Sequence, residues 1–161
     1  MALVDNIAHS VWRWWMQQTI IWRSGIAKKL AVRNLLSNRG ILLNPPAASD
    51  DLKSLENRLG LTIPRQFKSL FETFDGFADY DHRSHLAIWG LEMIIKNLEN
   101  QTENEVGLFV QFGDFLIHSD ILIVDIRNES CPVMLQLENK VLANSLDAFL
   151  LKFASDDFDW Q

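Results

Sequence analysis

One short segment of the sequence holds residue types that could bind a metal ion. His82 and His85 stand in a His-x-x-His spacing, and Asp79 and Asp81 lie beside them. Imidazole and carboxylate groups are ligands for zinc and other divalent cations. A closed structural zinc site needs a complete tetrahedral ligand set, however, and no further ligand joins this group in the sequence. We therefore favour a solvated polar loop, and we expect no metal and no other cofactor.

A second combination that could support chemistry is the single cysteine, Cys131, with His118 as its general base. Cys131 precedes Pro132 at the start of a predicted strand. A free cysteine in such a place usually behaves as a small buried hydrophobic residue. The pattern therefore favours a structural thiol over a nucleophile.

Two acidic pairs could be interpreted as a general acid and a general base, namely Glu103 with Glu105 and Asp156 with Asp157. Both pairs stand in polar stretches, where no feature of the sequence would shift a carboxyl pKa. The sequence also contains neither a glycine-rich phosphate loop nor a nucleophile elbow. We expect this protein not to be an enzyme.

Length and composition favour one globular domain. The chain has 161 residues, of which 48% are hydrophobic and 22% are charged, and this balance argues against disorder. A single cysteine excludes an internal disulfide bond. Disulfide bonds are rare in reducing compartments, so we expect a cytoplasmic protein.

The charge is divided unevenly along the chain. Residues 1–44 carry six basic residues and one acidic residue, whereas residues 45–161 carry nine basic and twenty acidic residues, and the net charge is −6. An acidic body repels phosphate backbones, which argues against nucleic acid as a partner. It could attract a basic protein, or it could serve solubility alone.

The N-terminal segment is rich in tryptophan, since residues 1–25 hold four of the six tryptophans. Apolar residues recur there at steps of four and seven, as in an amphipathic helix: Ile7, Val11, Trp15, Trp22, Ile26 and Leu30. Charged and amide residues interrupt the run, which excludes a signal peptide and a transmembrane helix. Three interpretations stay open: the helix packs on its own domain, it forms a partner or homodimer surface, or it lies on a membrane.

Helix signals dominate the next part of the chain. Ser49 is predicted to cap a helix that ends at Gly60, and Pro64 is predicted as the first residue of another helix that ends before Asp75-Gly76. Leu91 to Glu99 is a further candidate helix, and Ser145 is predicted to cap the last one.

Short segments rich in β-branched and aromatic residues follow in the second half. They are Leu86–Gly90, Val106–Phe112, Phe115–His118, Ile121–Ile126, an alternating strand that contains Val133, Leu135 and Leu137, and a last strand at 141–143. Gly113-Asp114 and Ser119-Asp120 are predicted as turns. The order predicts an α+β fold with a mainly antiparallel sheet of about four to six strands, packed with N-terminal helices and a C-terminal helix.

A series of short motifs then allows a family comparison. In order these motifs are Asn44-Pro45-Pro46, Ser49-Asp50-Asp51-Leu52, Leu55-Glu56, Leu59-Gly60, Ile63-Pro64, Phe67-Lys68 and Asp75-Gly76, followed by Phe112-Gly113-Asp114, Ile121–Asp125 and Ser145–Leu150. Together they resemble the SUKH superfamily, whose best-known branch is the Smi/Knr type of fungal cell-wall regulators. The resemblance covers roughly residues 26–154, so we expect a Trp-rich extension at 1–25 and a SUKH-like domain at 26–161.

The resemblance implies a shared α+β fold without shared catalytic residues. It implies a protein-binding domain, and two roles are open. One is an immunity protein that neutralises a cognate polymorphic or contact-dependent toxin; the alternative is a regulatory scaffold of the cell-wall-regulator type. The motif residues are structural and do not transfer a binding site.

Candidate contacts with a protein partner, expected to be a basic toxin domain, come from the charge pattern instead. They are acidic residues that we predict in loops and tryptophans of the N-terminal helix: Asp79, Asp81, Glu103, Glu105, Asp114, Asp120, Trp12 and Trp14.

Overall fold

A computed structural model describes residues 27–100 and 109–157 of the chain. Within these residues the first helix, α1, spans 27–38. The later elements are α2 (Ser49–Leu59), α3 (Arg65–Phe71), β1 (Leu86–Ile88), α4 (Leu91–Asn100), β2 (Phe109–Phe115), β3 (Asp120–Asp125), β4 (Val133–Leu135), β5 (Lys140–Ala143) and α5 (Leu146–Ala154). The five strands form one sheet in the order β1-β2-β3-β4-β5, and each neighbouring pair is antiparallel. The predicted α+β fold is confirmed.

The helix ends follow local chemistry, with small differences from prediction. Gly60 ends α2 with φ 68° and donates its backbone N–H to the Glu56 carbonyl, a conformation that favours glycine. Ser145 caps α5 by accepting a hydrogen bond from the backbone N–H of Ala148, as predicted. The predicted cap at Ser49 is wrong, because extended Ala48 holds that position and Ser49 is already helical. Pro64 is likewise the N-cap of α3 and not its first residue.

The predicted turn at Gly113-Asp114 is wrong, because β2 continues through both residues to Phe115. A bulge shifts the β2–β3 register between Gln111 and Gly113. A Cβ at Gly113 would lie 2.4 Å from the Ala87 carbonyl oxygen on β1. Glycine at position 113 therefore lets β1 and β2 approach closely, because any side chain there would collide with β1.

The turn between β2 and β3 lies at residues 116–119, a segment that includes most of the predicted strand Phe115–His118. Leu116, Ile117 and His118 have φ values of 52°, 54° and 65°, so three consecutive residues are left-handed. Asp120, predicted in a turn, is the first residue of β3.

Aromatic side chains join the helices to the inner face of the sheet. Phe67 of α3 packs edge-on against Phe112 of β2, with ring centroids 6.1 Å apart, and Phe149 of α5 packs against the same ring at 6.2 Å. Such edge-to-face contacts contribute about 0.5–1.5 kcal/mol each beyond the burial of area. The inner face of the sheet adds a group of buried aliphatic residues, namely Val110, Leu122, Val124, Val133 and Leu135.

A row of side chains crosses the opposite face of the sheet. Gln111, Ile123, Met134 and Val141 are successive register partners on β2, β3, β4 and β5. They are partly buried or exposed, in contrast to the buried row formed by the valines. Among the helices in the described ranges, none is long and apolar enough to cross a membrane.

Gly76 provides a test of how tightly β1 and the preceding loop pack. We expect Gly76→Ala to lower the free energy of unfolding by at least about 3 kcal/mol, because the new Cβ would overlap backbone atoms. That Cβ would lie 2.5 Å from the Trp89 carbonyl carbon and 2.6 Å from the Gly90 nitrogen. Urea unfolding followed by circular dichroism measures the change.

Gly40→Ala is the matched control for this substitution. Gly40 has a similar φ of 84°, but no atom lies within 4 Å of its Cβ position. Gly40→Ala should therefore lower the free energy of unfolding by roughly 1 kcal/mol, through backbone strain alone. Equal losses at the two glycines would contradict the steric explanation.

Candidate protein-binding site

The structure places the predicted acidic contacts in two different environments. Asp79 is exposed, as expected of a contact residue, and its carboxylate lies 4.0 Å from His82. Asp81, Asp114 and Asp120 are buried instead, with 4%, 0% and 6% of their surfaces exposed. The predicted loop positions of Asp114 and Asp120 were wrong, because these residues lie on β2 and β3, whereas Asp81 lies in a loop as predicted but is buried there. Each serves as a hydrogen-bond acceptor that holds a turn, which offsets the free-energy cost of burying its charge.

Asp81 closes the polar loop that contains the two histidines. Its carboxylate accepts hydrogen bonds from the Ser84 hydroxyl at 2.6 Å and from the Arg39 guanidinium at 3.0 Å. Arg39 also pairs with Asp156 at 3.3 Å and lies over the Phe153 ring, 4.8 Å from its centroid. The cluster therefore ties the end of α1 and the end of α5 to this loop.

Asp114 is the acceptor for a group of partly buried rings. Its Oδ2 accepts a hydrogen bond from the Trp89 indole N–H at 2.6 Å and from the Tyr80 hydroxyl at 3.4 Å. Burial, followed by the neighbouring Asp114 carboxylate, raises the pKa of Tyr80 above its usual value. Its Oδ1 accepts the backbone N–H of His118 at 3.1 Å, which fixes the left-handed turn after β2.

Asp120 links two neighbouring turns at the same end of the sheet. Its Oδ1 accepts the backbone N–H of Ile121 at 2.7 Å and that of Leu137 at 2.9 Å. Leu137 belongs to the turn between β4 and β5, at residues 136–139. The Gln136 N–H also donates to the Ile121 carbonyl, so the two hairpin ends are held side by side.

Large apolar side chains are exposed on these two turns. Leu116, Ile117 and Leu137 are 48%, 60% and 76% exposed. We call residues 116–119 and 136–139 the two-turn surface. Exposed apolar groups rimmed by polar residues are typical of protein-binding sites. The sequence analysis missed this surface because Leu137 was predicted inside a half-buried strand, whereas β4 ends at Leu135.

The candidate metal ligands do not form a cluster. The His82 side chain is 89% exposed, and the Asp79 carboxylate lies 4.0 Å from its Nε2. No three histidine, cysteine, aspartate or glutamate residues of the described segments come together in an arrangement that could hold a metal ion.

The structure also separates Cys131 from His118. Cys131 is fully buried, and its sulfur lies 3.4 Å from the Asn128 carbonyl oxygen. Burial raises the pKa of the thiol to about 11, so the reactive thiolate is scarce at neutral pH. His118 instead contacts the Tyr80 hydroxyl at 3.2 Å.

Lys29 is a buried cation that the sequence analysis did not single out. Its amine donates to the Gln66 carbonyl at 2.7 Å and to the Ser69 hydroxyl, and it lies 3.7 Å from Asp147. Burial lowers the pKa of this lysine to about 8 against the opposing effect of Asp147. Its spacing from buried Val32 and Leu36 was the available signal, since all three share one helix face.

Four of the predicted contacts, Trp12, Trp14, Glu103 and Glu105, lie outside the described residues, as does the segment 1–25. Their roles, and the division into an extension and a domain, stay predictions.

The described elements define an α+β domain in which helices cover one face of a five-stranded antiparallel meander. The profile of the SMI1 / KNR4 family (SUKH-1) matches residues 46–152. The chain therefore belongs to this family, as its motifs predicted. No curated protein matches the sequence.

The burial of Lys29 predicts a pH dependence of stability. A lysine with a lowered pKa is less stable in its charged form in the fold than in the unfolded chain. Between the two pKa values the unfolded chain binds more protons, so the free energy of unfolding rises as pH increases from the folded pKa to the unfolded pKa. The pKa of Lys29 is about 8 in the fold, against an unperturbed value of 10.5. The free energy of unfolding of the wild-type protein, measured relative to that of Lys29→Met, should therefore rise by about 2 kcal/mol from about pH 7.5 to about pH 9.5.

Urea unfolding at both pH values measures this difference. Lys28→Met removes the same charge from the exposed neighbouring position and controls for net charge. A parallel pH dependence in the wild type and in Lys29→Met would contradict the burial argument.

Proposed function

We propose that this chain is a cytoplasmic, non-catalytic immunity protein that binds and neutralises a basic toxin domain. The observation that carries the proposal is the two-turn surface, where exposed apolar side chains stand on turns held by buried carboxylates. Family membership supports a binding role at a coarser level.

The surroundings of the ionisable groups support binding over chemistry. Asp81 and Asp114 are occupied as acceptors for side chains and backbone groups. The Cys131 thiol is buried with a raised pKa, and the Lys29 amine is engaged by α3 and α5. Each group therefore serves to hold the scaffold, and the exposed surface is left to recognise a partner.

Charge supports a basic partner. The net charge of the chain is −6, and exposed carboxylates of the described residues include Asp79 on the histidine loop and Glu138 within the two-turn surface. Opposite charge accelerates association and disfavours wrong partners, while buried apolar contacts slow dissociation. An acidic inhibitor could cover a basic site that handles nucleic acid.

The first test is co-expression with the product of the adjacent gene. If that product is the toxin, the chain should restore growth and bind it as a purified complex. The association rate constant should fall at least about tenfold between about 20 mM and about 500 mM salt, because screening removes electrostatic steering. Stopped-flow fluorescence measures this rate.

If the product of the adjacent gene is not toxic and does not bind this chain, the proposal fails for that pair. A salt-independent association rate would contradict the charge argument, even if the complex forms.

The alternative is a regulatory scaffold of the cell-wall-regulator type, and one sequence observation favours it. Residues 1–25 concentrate tryptophan, which is a favoured anchor in protein interfaces, within the basic part of the chain. In that case the extension, rather than the folded body, would bind the partner.

Deletion of residues 1–25 separates the two roles. For an immunity protein that uses the two-turn surface, the dissociation constant should change by less than about threefold, since the contacts lie elsewhere. Calorimetric titration measures affinity, and thermal unfolding shows whether the shortened chain is folded. A folded variant that has lost binding would favour the scaffold role, and an unfolded one would show that the extension belongs to the core.

A further inference from the structure

One buried carboxylate oxygen in the two-turn surface has no partner. Among the described residues, two buried side-chain polar atoms lack a hydrogen bond, Arg39 Nε and Asp120 Oδ2. Arg39 uses its terminal nitrogens on Asp81, Asp156 and Phe153. Asp120 is 6% exposed, and the backbone N–H groups of Ile121 and Leu137 both donate to its Oδ1. An unpartnered buried oxygen is unfavourable and needs an explanation.

The surroundings of this oxygen point to a protein ligand. Asp120 directly follows the turn that exposes Leu116 and Ile117, and its Oδ1 accepts the backbone N–H of Leu137 on the second turn. Ile117 also has a φ of 54°, which a β-branched residue rarely adopts. Strained backbone of this kind persists where surrounding structure holds it, and it often marks binding segments. Here the Asp114 carboxylate holds it through the His118 N–H.

We propose that the two-turn surface docks a protein partner through one lysine or arginine side chain that reaches Asp120 Oδ2 between Leu116, Ile117 and Leu137. This inference rests on the proposed function and names the surface and the partner chemistry. The aliphatic part of the basic side chain packs on the three apolar residues, and its charged end supplies the missing donor.

Charge selects a basic partner over a second copy of this chain. Two copies would each bring a net charge of −6 to the contact, and Glu138 adds an exposed carboxylate within the surface itself. A cation from a partner meets an oxygen that lacks a donor, and the exposed Glu138 carboxylate lies on the adjoining turn. Because Oδ2 is buried in this structure, the cation reaches it only after a local rearrangement of the residues that cover it.

The first experiment uses a defined probe, the blocked tripeptide acetyl-Leu-Arg-Leu-amide, titrated into the full chain labelled with ¹⁵N. We expect chemical shift changes at the amides of Ile117, Ile121 and Leu137. The same peptide with neutral citrulline should bind at least about tenfold more weakly, a difference of about 1.4 kcal/mol. Equal shifts with both peptides, or shifts confined to other surfaces, would overturn the proposal.

Two variants with the same change of charge then separate Asp120 from general electrostatics. Asp120→Asn should weaken the arginine peptide at least about tenfold and remove its advantage over citrulline. Asp50→Asn, at an exposed position on α2 outside the two-turn surface, should change affinity by less than about twofold. If both variants lost affinity for the arginine peptide equally, net charge alone would explain the binding, and the specific site at Asp120 would be overturned.

Substitution of exposed side chains keeps the test decisive if Asp120→Asn does not fold. Ile117→Ser and Leu137→Ser remove apolar contacts without touching the buried carboxylate. Each should weaken the arginine peptide at least about threefold while the spectrum stays folded, whereas Leu151→Ser, at an exposed site on α5, should not. Unchanged affinity in both turn variants would overturn the proposed surface.

Failure of this inference and failure of the proposed function give different results. If the toxin domain binds but Asp120→Asn and the two serine variants bind it as tightly as wild type, the surface is wrong and the immunity role stands. If the arginine peptide binds here and the neighbouring product does not, the surface stands and the proposed toxin pair fails.

Discussion

Hydrogen bonds from turn backbones to buried carboxylates are the interactions on which the described surface depends. Asp114 holds the turn after β2, and Asp120 joins it to the turn after β4. A carboxylate stripped of water is unfavourable unless such donors replace its hydration. These buried acidic residues therefore shape the scaffold.

Local signals predicted much of the fold, and contacts between distant residues account for most errors. Gly60 and Ser145 were assigned correctly because a helix end depends on a few neighbouring residues. Gly113 was taken for a turn because its real constraint is the Ala87 carbonyl on another strand. The burial of Asp114 depends likewise on Trp89, twenty-five residues away, so sequence proximity carried no sign of it.

The family match and the candidate site depend on different residues of the structure. The motifs that identified the family place helix ends and strands, and all but the first two residues of Asn44-Pro45-Pro46 lie within the matched residues 46–152. The exposed side chains of Leu116, Ile117 and Leu137 belong to the same stretch but contribute to no such motif. This explains why the family could be recognised from sequence and the binding surface could not.

The way in which the two turns are anchored has a consequence for evolution. The carboxylates of Asp114 and Asp120 accept hydrogen bonds from main-chain N–H groups, which every residue except proline possesses. The side chains that project from those turns can therefore be exchanged while the loop path is retained. The residues exposed on the two turns can therefore diverge between relatives one at a time, while the scaffold beneath them stays the same.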